Sequence, residues 1–505
     1  MTHTTARPEV GGVVDRDFRM LIGDALVSAR SGATFDTRDP SSGEVVAAVP
    51  LAQRQDVERA VEAAHGAQPA WEALGVRGRR EHFDRLARLV EEHAEELALL
   101  DAVDSGNPLR AMRFDVGLVL AQLRDYPSVA LGLSGKTLPA SPGNLHYTTF
   151  KPYGVVARIV PFNHPVMFAG VGALAPLIAG NAVVLKPAEQ TPLSALRLGE
   201  LLHEAFPPGV FNIVTGAAEA GDALVTHPLV KRIAFTGSGT IGRKIQQRAA
   251  EVGVKHVSLE LGGKNPMIVF PDADVAEAAE GAVFGMNFGT VQGQSCGSCS
   301  RIFVHRRIYD EFVDRVRQRL EGFRVGPAYD EATEMGPLVS AQHHERVMGY
   351  VQSGRDEGAS LVTGGGRPAG AELERGYFLA PTAFAGVTMD MRIGREEIFG
   401  PVMSIFSWTD YADVVAQANG TELGLTASVW TNDIHLAHAT AERLDAGYVW
   451  INDTARHFWG LPFGGFKGSG VGREEAVDEV TSFLETKSVH TILKPVERAA
   501  PRVLG

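Results

Sequence analysis

The sequence predicts an α/β protein of two domains, each organised around a largely parallel sheet. Three observations carry that expectation. The 505 residues are 45% hydrophobic and 21% charged, enough for two or three ordinary domains with large cores. From about residue 154, short β-branched apolar runs alternate with segments that can be helical, which is the texture of a parallel sheet with crossover helices. The same texture begins again after about residue 265, so two α/β domains is the simplest count.

Taken in order, Gln55–Trp71 and Arg77–Val103 place apolar residues at helical spacing, among them Phe83, Leu86, Leu89, Val90, Leu97, Leu99 and Leu100. Each predicts an amphipathic surface helix. Val155–Val160, Ala182–Leu185, Val210–Val214 and Arg232–Phe235 predict strands, with helices over Ser194–Glu204 and Gly221–Thr226 between them. In the second stretch, Met267–Phe270, Ile302–Val304 and Val402–Phe406 predict strands, and Asp310–Phe323 and Ala412–Ala418 predict helices. His146–Thr149 and Val155–Ile159 flank the turn Lys151-Pro152-Tyr153-Gly154 and predict a β-hairpin. Ser488–Leu493 is a short strand-like tail. Neither the hairpin nor the tail has an obvious place in a compact domain, so pairing with each other or with another subunit is expected.

Composition narrows the function. There are 48 Lys and Arg against 60 Asp and Glu, for a net charge of −12, and this acidic balance argues against a nucleic-acid partner. Only two cysteines occur, Cys296 and Cys299, which fits a reducing cytoplasm rather than a disulfide scaffold. The first twenty residues lack the basic and apolar regions of a signal peptide. Ile159–Leu185 has no Asp, Glu, Lys or Arg, but it carries Pro161, Asn163, His164, Pro165, Gly170, Gly172, Pro176, Gly180 and Asn181. So many helix breakers predict a buried strand, loop, helix and strand rather than a membrane span.

Cys296 lies in the small-residue segment Gly293–Arg301, just before a strand. Small neighbours leave a nucleophile approachable, and a nearby helix N-terminus would lower its pKa. Alone, a buried structural cysteine is the commoner explanation. The Cys296/Cys299 C-x-x-C spacing also leaves a redox pair open, whereas a zinc site lacks further ligands and no metal is expected. Gly237-Ser238-Gly239-Thr240-Ile241-Gly242 matches G-x-G-x-x-G between a strand and the helix Thr240–Val252, a cradle for phosphate. Spacing alone would give Glu260 to a ribose. Pro161–Pro165 sets the Asn163 amide in a rigid turn. Lys186–Pro192 offers a cation and an anion after a buried strand, and Glu396–Val402 puts acids before an aromatic. Each of these also reads as turn punctuation.

Together and in this order these segments resemble the aldehyde dehydrogenase superfamily, from about residue 20 to 495. Leu259-Glu260-Leu261-Gly262-Gly263-Lys264-Asn265-Pro266 and Gly293-Gln294-Ser295-Cys296 are its most specific matches, and Pro462–Gly470 adds another. The resemblance implies an aldehyde-dehydrogenase-like fold: a Rossmann-type NAD-binding domain (1–139 and 160–262), an α/β catalytic domain (263–475), and a small β oligomerisation element (140–159 and 476–505). It implies oxidation of an aldehyde to the acid with NAD, through a thiohemiacetal and a thioester on Cys296. Asn163 would be the oxyanion donor, and Glu260 the base that activates water rather than a ribose ligand. Pro161, Phe162, Lys186, Glu189, Gly237, Ser238, Leu261, Glu397 and Phe399 would hold the cofactor. Glu189 beside the adenosine ribose favours NAD over NADP, because a carboxylate repels a 2′-phosphate.

The presence of Glu260 favours hydrolysis over a coenzyme-A-acylating or acyl-phosphate relative, and a non-catalytic relative would be expected to lose Cys296, Glu260 or Asn163. Phe168, Ser295, Arg456, His457 and Trp459 fall where such proteins line the aldehyde pocket. Arg456 and His457 would suit an anionic substrate, Phe168 and Trp459 an aromatic one. Many relatives carry a lysine where this chain has Gly172, so a proton relay through Glu474 lacks that member. Phe162 replaces a common tryptophan, and His164 is an unusual residue after the asparagine. The resemblance also implies a homodimer or homotetramer.

Overall fold

The computed structural model describes residues 8–139 and 142–493. Its first sheet has eight strands in the order Ala25–Val27, Met20–Ile22, Phe211–Ile213, Ala182–Lys186, Val155–Ile159, Val230–Thr236, His256–Glu260 and Gly470–Val471. The five strands from Phe211–Ile213 to His256–Glu260 are parallel; Met20–Ile22 and Gly470–Val471 flank them in antiparallel sense, and Ala25–Val27 pairs antiparallel with Met20–Ile22 at the outer edge. Val155–Ile159 and Ala182–Lys186 are buried along their whole length, as strands covered on both faces must be. Burying each Val or Leu there contributes roughly 1.5–3 kcal/mol.

The second sheet runs Ser360–Thr363, Thr382–Ala385, Val402–Trp408, Arg301–His305, Pro266–Val269, Thr426–Trp430 and Tyr448–Ile451. It is parallel except at the Ser360–Thr363 edge. Between its strands lie helices such as Tyr309–Glu321 and Tyr411–Asn419, close to the predicted positions. The uncharged stretch from Ile159 resolves as predicted into strand, loop, the buried helix Pro165–Ala179 and a strand. Among the described residues, no helix is long and apolar enough to cross a membrane.

Two expectations are corrected. Residues 146–159 do not form a hairpin. Val155–Ile159 enters the centre of the first sheet, where its uninterrupted apolar run finds cover on both faces. Asn144–Pro152 pairs instead with Leu484–Ile492, and Thr137–Leu138 completes a separate antiparallel sheet. That pairing joins the tail to the 144–152 strand, one of the two arrangements expected of it. Second, Arg77–Val103 is not one helix but two, Gly75–Glu92 and Ala94–Ser105, interrupted at His93, whose φ of −111° leaves the helical region.

Candidate active site

Three parts of the fold converge on one cavity of about 480 Å³. The first is the loop between Val155–Ile159 and Pro165–Ala179. Asn107 donates its side-chain amide to the Asn163 carbonyl at 2.7 Å, and Thr191 Oγ1 donates to the Phe162 carbonyl at 3.3 Å. Pro165 then starts the helix with a preset φ. Asn163 is thereby fixed at the cavity wall, buried, with its Oδ1 unpartnered.

The second part is the end of strand His256–Glu260. The Glu260 carbonyl accepts from Gly237 N–H at 3.0 Å, and Leu261 N–H donates to the Ser469 carbonyl at 2.9 Å. Both Glu260 carboxylate oxygens are buried without a hydrogen-bond partner. Burial, and then the charge of Glu474, push this carboxyl well above the usual carboxylate range.

The third is the loop carrying Cys296. Asn265 Nδ2 donates to the carbonyls of Cys296 at 2.7 Å and Ser298 at 2.8 Å, while its Oδ1 accepts from Thr426 N–H at 3.1 Å. One amide thus ties the cysteine loop to the second sheet. The two glycines before it are required by close approach: a Cβ at Gly263 would collide with the Cys296 carbonyl, and one at Gly262 with the Glu397 carboxylate. The sequence reading missed Asn265, whose only signal is its position after the glycine pair.

Cys296 is half-buried, and burial first, then Glu397 and Glu260, push its thiol up to about 12. The expected helix N-terminus does not reach it: the cysteine sits in a turn and a strand follows. The resting thiol is therefore protonated, contrary to the expectation of a lowered pKa. Cys299 is buried against Thr454, with Sγ 2.9 Å from Oγ1, in a core packed on the second sheet. Among the described residues no cluster of His, Cys, Asp and Glu fits a metal ion.

The same cavity is lined by Pro161, Phe162, Phe168, Lys186, Glu189, Gly237, Ser238, Leu261, Glu397 and Phe399. Ser238 caps the helix Gly239–Val252, accepting from Ile241 N–H at 3.4 Å. Buried Lys186 donates to the Pro187 carbonyl at 3.0 Å and lies 3.9 Å from Glu189, which is half-exposed. Glu397 Oε1 accepts from Gly263 N–H at 2.9 Å, and Arg346 holds its carbonyl at 3.0 Å. Phe399 adopts φ of +58°, an uncommon value for a bulky residue. His343 at 2.6 Å from its carbonyl and the edge of Phe162 at 5.6 Å hold it there.

This donor set fits a dinucleotide. A helix N-terminus and a lysine suit the diphosphate and a ribose, a carboxylate at each end suits the ribose hydroxyls, and the unpartnered Thr236 Oγ1 and Glu260 carboxylate face a cavity large enough for the nicotinamide end.

The remaining predicted pocket residues lie elsewhere. Ser295 lines a small hollow beside Gly263, Glu397 and Gly400. Arg456 is exposed, pairs with Asp453 at 3.1 Å and stacks over Phe284. His457 pairs with Glu475 at 2.8 Å and packs among Tyr448, Trp450 and Phe463, the aromatic cluster that Cys296 touches. Trp459 meets the edge of Tyr126 at 4.8 Å. Both cations that would greet an anionic substrate are already matched by carboxylates.

Behind the site lies a buried ionic group the sequence reading did not assemble. Arg158 donates to Glu474 Oε1 at 2.7 Å, and Tyr126 OH donates to Glu479 Oε2 at 2.5 Å. Burial opposes the charge on Arg158, but Glu474 and Glu479 outweigh it and hold the guanidinium ionised. A Cβ at Gly172 would lie 2.5 Å from Arg158 Nε.

Comparison with known proteins gives a consistent answer. Residues 26–489 match the Aldehyde dehydrogenase family. The chain is 45% identical over 462 residues to aldehyde dehydrogenase tropH of Talaromyces stipitatus, covering 90% of this chain and 89% of that one. The NAD+ complex structure of an aldehyde dehydrogenase from Bacillus cereus superposes with a TM-score of 0.93 at 41% identity, covering 97% of this chain and 99% of that one. An NAD-dependent aldehyde dehydrogenase from Sinorhizobium meliloti gives 0.94 at 38% identity over 98% of both chains.

Proposed function

Because the chain belongs to the aldehyde dehydrogenase family, and so oxidises an aldehyde to the corresponding acid, we propose that NAD is its cofactor and that Cys296, Asn163 and Glu260 divide the chemistry. The observation that supports this most is convergence. A nucleophile, an amide and an unpartnered carboxylate from three separate segments line one cavity, whose other end has the groups a dinucleotide needs. NAD bound there supplies the hydride acceptor.

The Cys296 thiol gives up its proton to solvent and its sulfur attacks the aldehyde carbon to give a thiohemiacetal. The Asn163 amide and the Cys296 backbone N–H stabilise the oxyanion that forms. Loss of hydride leaves a thioester. Glu260, in its ionised form, takes a proton from water, whose oxygen displaces the cysteine and releases the acid. Pro161, Phe162, Gly237, Ser238 and Leu261 shape the cofactor cleft, with Lys186 and Glu189 at the adenosine ribose and Glu397 and Phe399 at the nicotinamide end. Glu189 disfavours the extra phosphate of NADP.

In the aldehyde pocket Phe168 lies within the cavity, and the cluster around Phe463 abuts Cys296. With Arg456 and His457 paired to Asp453 and Glu475, these walls suit an aromatic or apolar aldehyde better than an anion. The sheet built from Asn144–Pro152 and Leu484–Ile492 is the element we assign to homo-oligomerisation, and we place the enzyme in the cytoplasm.

The test is product analysis with the purified chain, NAD, an aromatic aldehyde and coenzyme A. NADH and the free carboxylic acid are expected in equal amounts, and Cys296→Ala should form neither. Mainly acyl-coenzyme A would overturn the hydrolytic role of Glu260, and full activity in Cys296→Ala would overturn the mechanism.

A further inference from the structure

His164 and Asp115 form a polar pair directly behind Asn163 and Phe168, two residues that line the cavity. Asp115 lies on the helix Leu109–Leu131, which packs against Pro165–Ala179. Its carboxylate is 2.7 Å from His164 Nδ1 and is buried, with a side-chain exposure of 4%. His164 follows Asn163 directly and precedes the helix, yet it makes no side-chain cap bond to that helix. Its ring meets Phe168, a cavity-lining residue, edge-on at 6.1 Å, and 19% of its side chain remains accessible.

Burying a carboxylate against an apolar helix costs free energy that a leucine or phenylalanine at both positions would avoid. The pair therefore asks for a reason beyond packing. Its chemistry supplies one. A carboxylate only accepts, so the contact with Asp115 takes up an N–H at Nδ1 of His164. That leaves Nε2 as the ring nitrogen available for a further hydrogen bond, and among the described residues it has no protein partner.

The geometry points to His164, held by Asp115, as a specificity residue whose Nε2 hydrogen-bonds with a hydroxyl group on the substrate. The preferred aldehyde then carries a hydroxyl on its body, and for the aromatic class favoured by Phe168 it is a hydroxybenzaldehyde-like compound. This rests on the reading of the cavity as an aldehyde dehydrogenase site. Asp115 is a positioning residue: it sets which nitrogen of His164 is free and does not itself meet the substrate.

The experiment compares the three hydroxybenzaldehyde isomers with benzaldehyde and the matching methoxybenzaldehydes, in the wild type and in His164→Phe, His164→Gln and Asp115→Asn. The wild type should prefer at least one hydroxy isomer over its methoxy partner by about tenfold in kcat/KM. His164→Phe keeps the ring against Phe168, so it should hold benzaldehyde kcat within about twofold while reducing the hydroxy preference to near one. His164→Gln, whose amide oxygen can accept, should restore part of that preference. Asp115→Asn should lose it through KM with kcat little changed. A hydroxy preference undiminished in His164→Phe, or a loss equal for all aldehydes, would overturn the assignment. Wild-type enzyme that forms no NADH from any member of the panel would overturn the dehydrogenase reading beneath it.

Discussion

Arg158 fills the space that a side chain at position 172 would need: a Cβ on Gly172 would sit 2.5 Å from Arg158 Nε and 2.9 Å from its Nη2. A lysine at 172 and an arginine at 158 exclude one another here. The positive charge facing Glu474 comes from the sheet strand Val155–Ile159 rather than from the helix Pro165–Ala179.

Gly172→Lys should therefore destabilise the protein by about 1–3 kcal/mol through overpacking. Arg158→Met should cost about 3–5 kcal/mol, because it leaves Glu474 and buried Glu479 without their cation. The double variant Arg158→Met/Gly172→Lys should be more stable than the sum of its singles. Thermal unfolding of all four proteins checks this; additive losses would mean the two positions do not share the space.

The hydrolytic half of the reaction should rise with pH through an apparent pKa well above the usual carboxylate range. Glu260 is held neutral by burial and by Glu474, and only its ionised form accepts a proton from water. Glu474→Gln removes a negative neighbour, so it should shift that profile to lower pH. Glu260→Gln should leave the first-turnover burst of NADH intact and lower the steady-state rate by about 10²- to 10⁴-fold. Stopped-flow and steady-state measurements separate the two phases.

Lys264 is buried with an unpartnered Nζ, and burial followed by the charge of Arg301 pushes its pKa down to about 7. Between pH 7 and its unfolded value of 10.5 the unfolded chain binds the extra proton. This lysine therefore makes stability increase as pH rises through that window. Lys264→Met should raise the melting temperature at pH 7 and flatten its rise toward pH 10. A variant less stable than wild type at pH 7 would contradict this.

Glu189→Gln should narrow the preference for NAD over NADP. The substitution removes the charge that repels a 2′-phosphate, while Lys186, at 3.9 Å, remains to receive one. We expect about a tenfold rise in kcat/KM for NADP, equivalent to about 1.4 kcal/mol, with a smaller change for NAD.

Much of this site was legible because its segments are short, rigid and rich in glycine or proline. Pro165 and the Gly262-Gly263 pair mark places where the backbone must turn or approach closely, and Asn163, Glu260 and Cys296 sit beside them. What the sequence hid were pairings between distant residues. Arg456 and His457 looked like free cations until Asp453 and Glu475 appeared beside them. Asp115 and His164 are 49 positions apart, and no local pattern links them. The hairpin expectation failed for a related reason. A turn-like Pro-Tyr-Gly reads as a reversal, but the five fully buried residues after it belong in the middle of a sheet.

The base-bearing strand His256–Glu260 is bordered by Gly470–Val471, with Glu260 opposite Gly470 and Leu261 latched to Ser469. A ribosome making this chain therefore adds Asn163, Glu260 and Cys296 well before the segment that borders the base-bearing strand. Until Gly470–Val471 is added, the strand that carries Glu260 has an unpaired edge. The setting of the base therefore waits on Ser469–Val471, about two hundred positions later in the chain.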